Sequence, residues 1–545
     1  MSGTSGTRAT HLGDFHVRPR MLLIAAIALL VGAASSVAAF ALLRLIGLIT
    51  NLVFYQRFGT SLIAPGAAHH PLWLVLLAPV AGGLVIGAMA RYGSEKIRGH
   101  GMPEAIEAIL TGGSRIAPRV ALLKPVSAAI SIGTGGPFGA EGPIIMTGGA
   151  VGSILAQLLK LTADERKTLL VAGAAGGMAA TFNAPMASIL LAVELLLFEW
   201  RPRSLVPVAL AVVVSTVCRG FLLGTAPIFG VAAPPAAPGP LATGLALVPG
   251  ITGGLLAIAA TGMVYFAEDC FGKLRVHWMW WPAIGGVLVG VGGLIEPRAL
   301  GVGYDVIDQL LTGRATVALI VGILVVKTLI WSLALGSGTS GGVLAPIFMI
   351  GASLGAAEGG VLPHVTAGFW AMCGLAAVVG GVMRSPLTGI VFTLELTHAW
   401  NDLVPLVVAS ISAYGVSVLL LKRSVLTEKI ARRRLHLTRE YTTDPLETFF
   451  AHEVMTHDPA LAGVIAASGT VVHPNDTLRE VANKLAIGHV TRAPVVDEAE
   501  PTRVLGVITL AQLLHARRRD LHEEHHRERL LAIRDTRRKP NRKAA

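Results

Sequence analysis

Residues 125–159 read PVSAAISIGTGGPFGAEGPIIMTGGAVGSILAQLL. Two apolar runs, 125–140 and 142–159, meet at a Gly/Pro turn, and Glu141 is the one ionisable residue in the stretch. Neither run reaches the roughly 20 residues that a straight helix needs to cross hydrocarbon. Broken helices persist in lipid only where protein or a watery cavity covers the freed backbone groups. An acid in such a place is costly and is functional by default. The stretch therefore predicts half-helices meeting near the middle of a membrane, as in a transporter.

Composition agrees. Hydrophobic residues make up 53% of the 545 and charged residues 14%, against roughly 25% charged in an average soluble domain. So few charges cannot cover a water-facing surface. The 63 Gly and 30 Pro follow no period, which excludes fibrous classes. Cys218, Cys270 and Cys373 are far apart, with no CxxC, so neither a disulfide framework nor a zinc or iron–sulfur site is expected. The net charge of +12 sits in runs such as Arg432-Arg433-Arg434, Arg517-Arg518-Arg519 and Arg537-Arg538-Lys539. In a membrane protein these mark cytoplasmic segments. No aromatic residues interleave with them, so nucleic acid is not an expected partner.

The first apolar run, Met21–Leu43, follows a polar segment ending in Arg18-Pro19-Arg20. Ala39-Phe40-Ala41 resembles a signal cleavage site, but the run is long for a signal peptide and many spans follow, so a retained helix is expected. Pro71–Ala90 is a second run, and further runs continue to about Leu421, several of them short. The pattern repeats internally. Pro185 and Glu194 are nine residues apart, as are Pro386 and Glu395, at an offset of 201 that extends to Gly173 and Gly374. Pro143, Gly148 and Gly152 pair with Pro346, Gly351 and Gly355 at an offset of 203. Two halves of about 200 residues imply a duplicated membrane fold.

Three Gly/Pro turns open apolar segments: Gly99-His100-Gly101-Met102-Pro103-Glu104, Gly139-Ala140-Glu141-Gly142-Pro143 and Gly341-Gly342-Val343-Leu344-Ala345-Pro346. Each presents unpaired N–H groups at a helix N-terminus, which attracts an anion without a full positive charge. A buried Lys or Arg would hold the ion too tightly for rapid passage. Glu141, ionised, imitates the permeating anion. Protonated, it loses that attraction and swings away, so protons and anions compete for one place.

The ordered set of turns resembles the CLC family of chloride channels and proton/chloride antiporters. The second turn is similar to the family's GREGP motif, with Ala140 where Arg is usual. The first resembles GSGIPE, with His100 in the serine place. The third resembles GxFxP, with Leu344 in the phenylalanine place, and Phe182-Asn183-Ala184-Pro185 matches a further signature. The resemblance implies an all-α multi-pass fold, an inverted-repeat bundle of broken and tilted helices, working as a homodimer with one anion path per subunit. It implies that Glu141 is the gating glutamate and that His100, Gly101, Ala140, Gly142, Val343, Leu344 and Leu426 lie at the anion site. Leu426 stands where a tyrosine hydroxyl is usual, and an imidazole N–H at His100 is a substitute donor. Glu194 and Glu395, at symmetric positions, are expected to cap or pair. Family antiporters carry an inner proton-transfer glutamate at the position of Leu195, which holds no proton. On that departure the sequence favours a passive channel for chloride or similar monovalent anions over the alternative, a proton-coupled chloride antiporter.

Residues 450–516 resemble one CBS repeat, through Val454-Met455-Thr456, Val472–Leu478, Ala493–Asp497 and Leu505–Thr509. Such repeats work in pairs, and a homodimer supplies the second copy. Adenosine nucleotide binding is the family expectation, but Gln512 replaces the usual Asp, and no cofactor is expected. The expected layout is a cytoplasmic tail at 1–20, the CLC-type membrane domain at 21–435, an α/β CBS-like cytoplasmic domain at 436–520 and a basic tail at 521–545, in a cell-membrane protein with both termini cytoplasmic.

Enzymatic readings fare poorly. His522 and His526 satisfy the letter of HExxH, but their segment has no apolar face and no third ligand, and His452 and His457 are five apart. The spans offer no nucleophile–base pair, and a CBS-based sensor would need one anchor rather than a duplicated set of broken spans.

Overall fold

The computed structural model describes residues 19–231, 237–435, 446, 449–456, 470–498, 500, 502–516 and 518. The tail before Pro19, His457 and the His522–His526 pattern lie outside them. Contacts divide the chain into two units, one of which is Phe15–Arg439.

That unit is helical: α1 (Arg20–Phe54), α2 (Leu72–Tyr92), α3 (Met102–Leu110), α4 (Pro118–Gly133), α5 (Glu141–Leu158), α6 (Ala163–Phe182), α7 (Pro185–Leu191), α8 (Pro202–Leu223), α9 (Pro240–Leu245), α10 (Leu247–Lys273), α11 (Trp281–Ile295), α12 (Tyr304–Leu311), α13 (Val317–Gly322), α14 (Thr328–Gly336), α15 (Leu344–Glu358), α16 (Phe369–Met383), α17 (Pro386–Thr397), α18 (Leu403–Leu420) and α19 (Val425–Arg432). Among the described residues seven helical stretches are long and apolar enough to cross a membrane, while α15, α16 and α17 are shorter apolar helices. The first helix continues well past the uncharged run that ends at Leu43. Arg44 does not end it, because its guanidinium lies over the Phe40 ring at 5.0 Å and donates to Thr60 Oγ1 at 3.1 Å. The apolar stretch that holds α6 and α7 is broken by Asn183, in the left-handed conformation at φ 53°. There α6 ends and α7 starts on Pro185, whose missing N–H suits a first turn.

The duplication governs the packing. In the first half α5 lies on α6 with Gly148 against the Gly173 carbonyl and Gly173 against the Gly148 carbonyl. In the second half α15 lies on α16 with Gly351 and Gly374 in the same relation. Small residues that let backbones approach are how helices associate without a hydrophobic drive. The two carboxylates then cross between halves. Glu395 on α17 accepts from the N–H groups of Met186 (2.9 Å) and Ala187 (2.8 Å) at the start of α7. Glu194, in the π-helical turn Ala192–Leu197 that continues α7, accepts from Thr388 N–H (2.9 Å) and Thr388 Oγ1 (2.6 Å) at the start of α17. The expected capping role of both acids is thus realised reciprocally, and each half supplies the first-turn acceptor that the other lacks.

The second unit is described by itself. Strands β1 (Arg492–Val496) and β2 (Val504–Thr509) pair antiparallel, with Pro494 opposite Val507. The helix Leu478–Ile487 buries Leu478, Val481 and Leu485 in a small core with Val495 and Ile508. Gln512 has its carboxamide engaged: Oε1 accepts from Thr509 N–H at 2.7 Å, and Nε2 donates to Thr456 Oγ1.

Replacing Glu395 by Ala strips the buried N–H of Ala187 and the part-buried N–H of Met186 of their acceptor, and the buried group left unsatisfied costs about 1–3 kcal/mol. Glu395→Ala and Glu194→Ala should each lower the melting temperature of the detergent-solubilised protein, read by intrinsic fluorescence, whereas Glu395→Gln should lower it less.

Candidate functional site

The three Gly/Pro turns come together inside the helical unit. Gly139 N–H donates to the Gly342 carbonyl at 3.3 Å, and Gly342 N–H returns a bond to the Gly139 carbonyl at 2.8 Å. This antiparallel bridge brings the first residues of α5 and α15 together across a local two-fold relation. The first turn joins through Gly99, whose N–H donates to the Gly338 carbonyl at 3.3 Å. Gly101 precedes α3 at φ 90°, a conformation that side chains resist, and its own Cα faces the Gly142 carbonyl. The starts of α3, α5 and α15 are therefore neighbours.

Glu141 lies at the junction with no solvent exposure. Its Oε1 accepts from Ala345 N–H, in the first turn of α15, at 2.6 Å. Its Oε2 has no hydrogen-bond partner among the described residues. A Cβ at Gly139 or Gly342 would collide with this carboxylate, so both positions admit only glycine while Glu141 is seated there. The acid that belongs to α5 thus sits at the positive end of α15, where an anion would be drawn.

A cluster of rings reaches the site through Tyr304. Phe182 packs edge-on against Phe392 at 5.1 Å and against Phe348 and Tyr304 at 6.2 Å each. Tyr304, which starts α12, lies near enough to Glu141 to feel its charge, and its buried hydroxyl has no partner among the described residues. Val343 and Leu344 are buried at the start of α15, Ala140 and Gly142 flank Glu141, and Leu426 is buried at the start of α19. Leu426 offers no donor; the nearby phenol, Tyr265, donates its hydroxyl to the Val425 carbonyl. His100 is 5% exposed, with Nδ1 buried and unpartnered. Leu195 is buried in the apolar core.

Beside the first turn opens a cavity of about 590 Å³ whose lining includes Arg98, Glu104, Glu107, Lys429 and Arg433. Its charges are paired. Glu104 accepts from Gly101 N–H at 2.9 Å and from Arg433 Nη2 at 2.6 Å. Arg433 also bonds Glu107, and Lys429 Nζ lies 2.6 Å from Glu268.

The site also contains what the sequence argument excluded, two fully buried lysines. Lys124 on α4 donates to the carbonyls of Ile97 (2.8 Å) and Gly99 (2.6 Å). Lys327, at the end of a π-helical turn, donates to those of Ala299 (2.8 Å) and Gly301 (2.7 Å), and its charge reaches Glu141. Each ammonium is anchored on the loop before a half-helix, so neither grips an ion directly. They supply positive potential from behind the backbone. Their offset of 203 residues is the repeat offset, and Lys327 stands within an apolar run. That coincidence was the available signal. The same repeat pairs Gly99-His100-Gly101-Met102 with Gly301-Val302-Gly303-Tyr304, at an offset of 202.

Gly342→Ala should drive the Glu141 carboxylate off Ala345 N–H, which a structure of the variant would display as a broken bond and a rotated side chain. Lys124→Met leaves the Ile97 carbonyl unpaired, at about 1–3 kcal/mol, and the Gly99 carbonyl with only the 3.5 Å bond from Gly341 N–H, and should lower the melting temperature more than the exposed control Lys96→Met.

Comparison with known proteins places this geometry. Residues 82–418 match the family model described as "Voltage gated chloride channel", and residues 451–519 match the CBS domain. A protein of Citrobacter koseri named H(+)/Cl(-) exchange transporter ClcA is 33% identical over 365 residues, 63% of this chain and 75% of that one. Its counterpart of the same name from Salmonella newport is 32% identical over the same length. Among solved structures, a slow cyanobacterial Cl-/H+ antiporter superposes with a TM-score of 0.65 at 22% identity, covering 77% of this chain and 99% of that chain. A CLC-type fluoride/proton antiporter gives 0.63 at 19% identity, covering 74% and 97%. These structures share the fold. The chain is a multi-pass membrane protein that belongs to the CLC family of anion transporters and carries a CBS domain.

Proposed function

We propose that the protein exchanges protons for chloride or a similar monovalent anion across the cell membrane. One observation carries the reading: the protonatable Glu141 occupies the N–H group of Ala345 at the convergence of three half-helices. A carboxylate there stands in for the anion. Protons, by neutralising it, and anions, by displacing it, compete for one seat, which is the root of coupling. The anion rests on first-turn N–H groups of Val343, Leu344 and Ala345 and of Ala140 and Gly142, with His100 and Gly101 on the inner side and Leu426 as an apolar wall. Lys124 and Lys327 raise the potential without closing on the ion.

Leu195 made a passive channel the favoured reading of the sequence. Exchange replaces it because the relatives at 33% and 32% identity are named exchange transporters. We further propose a homodimer with one path per subunit and both termini in the cytoplasm, which puts the 590 Å³ cavity on the cytoplasmic side, beside the arginine-rich end of α19.

Two measurements in liposomes test this. With chloride fixed and a pH gradient imposed, the reversal potential should shift from the chloride equilibrium value; a potential that stays there would establish the channel. Glu141→Gln should move chloride without proton coupling and with its pH dependence largely abolished, and a pH profile like that of the wild type would remove Glu141 from the gate.

A further inference from the structure

An exchanger needs an inner carrier to bring protons from the cytoplasmic cavity to Glu141, and the acids nearby are committed. Leu195 is apolar, Glu194 caps α17, and Glu104, Glu107 and Glu268 are held by Arg433 and Lys429. His100 is different. It is a titratable side chain, almost fully buried, and its Nδ1 meets no partner among the described residues. A buried ring nitrogen left unpaired carries the full cost of its lost hydration, so its presence calls for a reason.

Its position supplies one. The His100 carbonyl packs against the Cα of Gly142, so closely that any Cβ there would collide, and Gly142 adjoins Glu141. On the other side His100 lies within electrostatic range of Glu104, Lys429 and Arg433, all of which line the cavity, and of Lys124 on α4. Its backbone adjoins the residue next to Glu141, and its ring is within range of charges on the cavity wall.

We infer that His100 is the proton carrier of the inner half of the path. The inference rests on the exchange reading. Hydronium in the cavity gives a proton to the Nδ1 lone pair, leaving water and an imidazolium. When the anion has left and the Glu141 carboxylate turns inward, the Nδ1 proton passes to a carboxylate oxygen and the imidazole returns to neutral. The neutral Glu141 carboxyl then turns outward and releases the proton to external water. Burial holds the ring's proton affinity below that of an ordinary imidazole, Glu104 opposes this, and the cations Lys429, Lys124 and Arg433 add to it, so the imidazolium is a short-lived state and the neutral ring the resting one. An anion in the seat blocks the transfer, because it occupies the space the carboxylate must enter. One event therefore moves a proton and the other moves an anion, never both through the same opening. The neutral imidazole also serves as the N–H donor that replaces the family's serine, so one side chain holds the anion and carries the proton at different stages of the cycle.

The test is simultaneous recording of chloride efflux and proton uptake by the full-length protein in liposomes, for wild type, His100→Gln, His100→Asn, and His100→Gln combined with Leu195→Glu. Gln and Asn keep an N–H donor and cannot titrate. The expected result is that the proton-to-chloride ratio of both single variants falls to background and that the carboxylate introduced by Leu195→Glu restores it. The ratio does not depend on how much protein is active, so a purely structural defect, which scales both fluxes together, would leave it at the wild-type value and overturn the proposal. A wild-type protein that moves no protons overturns the exchange reading itself, a result visible before any variant is compared.

Discussion

An anion in a membrane interior must find hydrogen-bond donors that no backbone acceptor already owns. Only helix ends offer them, since the first four N–H groups of a helix have no partner within it. A helix end inside hydrocarbon is tolerated only when other protein surrounds it. This one requirement forces the broken helices, the Gly/Pro turns and the pairing of two halves. The Gly139–Gly342 bridge is its local solution, because it aligns the starts of α5 and α15 without using the N–H groups that follow. The Glu141 carboxylate lies in that place on Ala345 N–H, fully buried.

Charge is handled indirectly throughout. The lysines that raise the potential are each tied to two carbonyls, and the acids beside the cavity are each tied to a cation. A lysine facing the ion would trade passage for affinity. Held behind the backbone on carbonyl oxygens, each lysine faces the loop rather than the junction of the half-helices. Ala140 in place of the family's arginine fits the same arrangement, since the buried ammoniums already supply positive charge nearby.

Much of this was legible in the chain. The lone acid among glycines located the seat, because isolation in an apolar run is a property of sequence alone. The repeat offsets located the partner segments, because glycine and proline mark helix contacts and helix starts in both halves. The extent of α1 was hidden, since the cation–π contact that lets Arg44 stay in a helix joins it to Phe40 through a rotamer that no spacing reveals. The lysines were missed for a related reason. A buried ammonium reads as a span boundary until the two carbonyls that satisfy it are known, and those carbonyls lie more than twenty residues away. The unpartnered Nδ1 of His100 was equally invisible, because the lack of a partner is a fact of three dimensions.

The crossed caps have a consequence for biogenesis. The start of α7 is completed by Glu395, which the ribosome adds some 200 residues after Pro185, and at about 5–20 residues per second that interval lasts roughly 10–40 s. During it the first half sits in the bilayer with raw helix ends. Insertion machinery, lipid headgroups or water must shelter those ends until the second half arrives. The first half therefore waits as an unfinished intermediate, and quality control has a defined window in which to act.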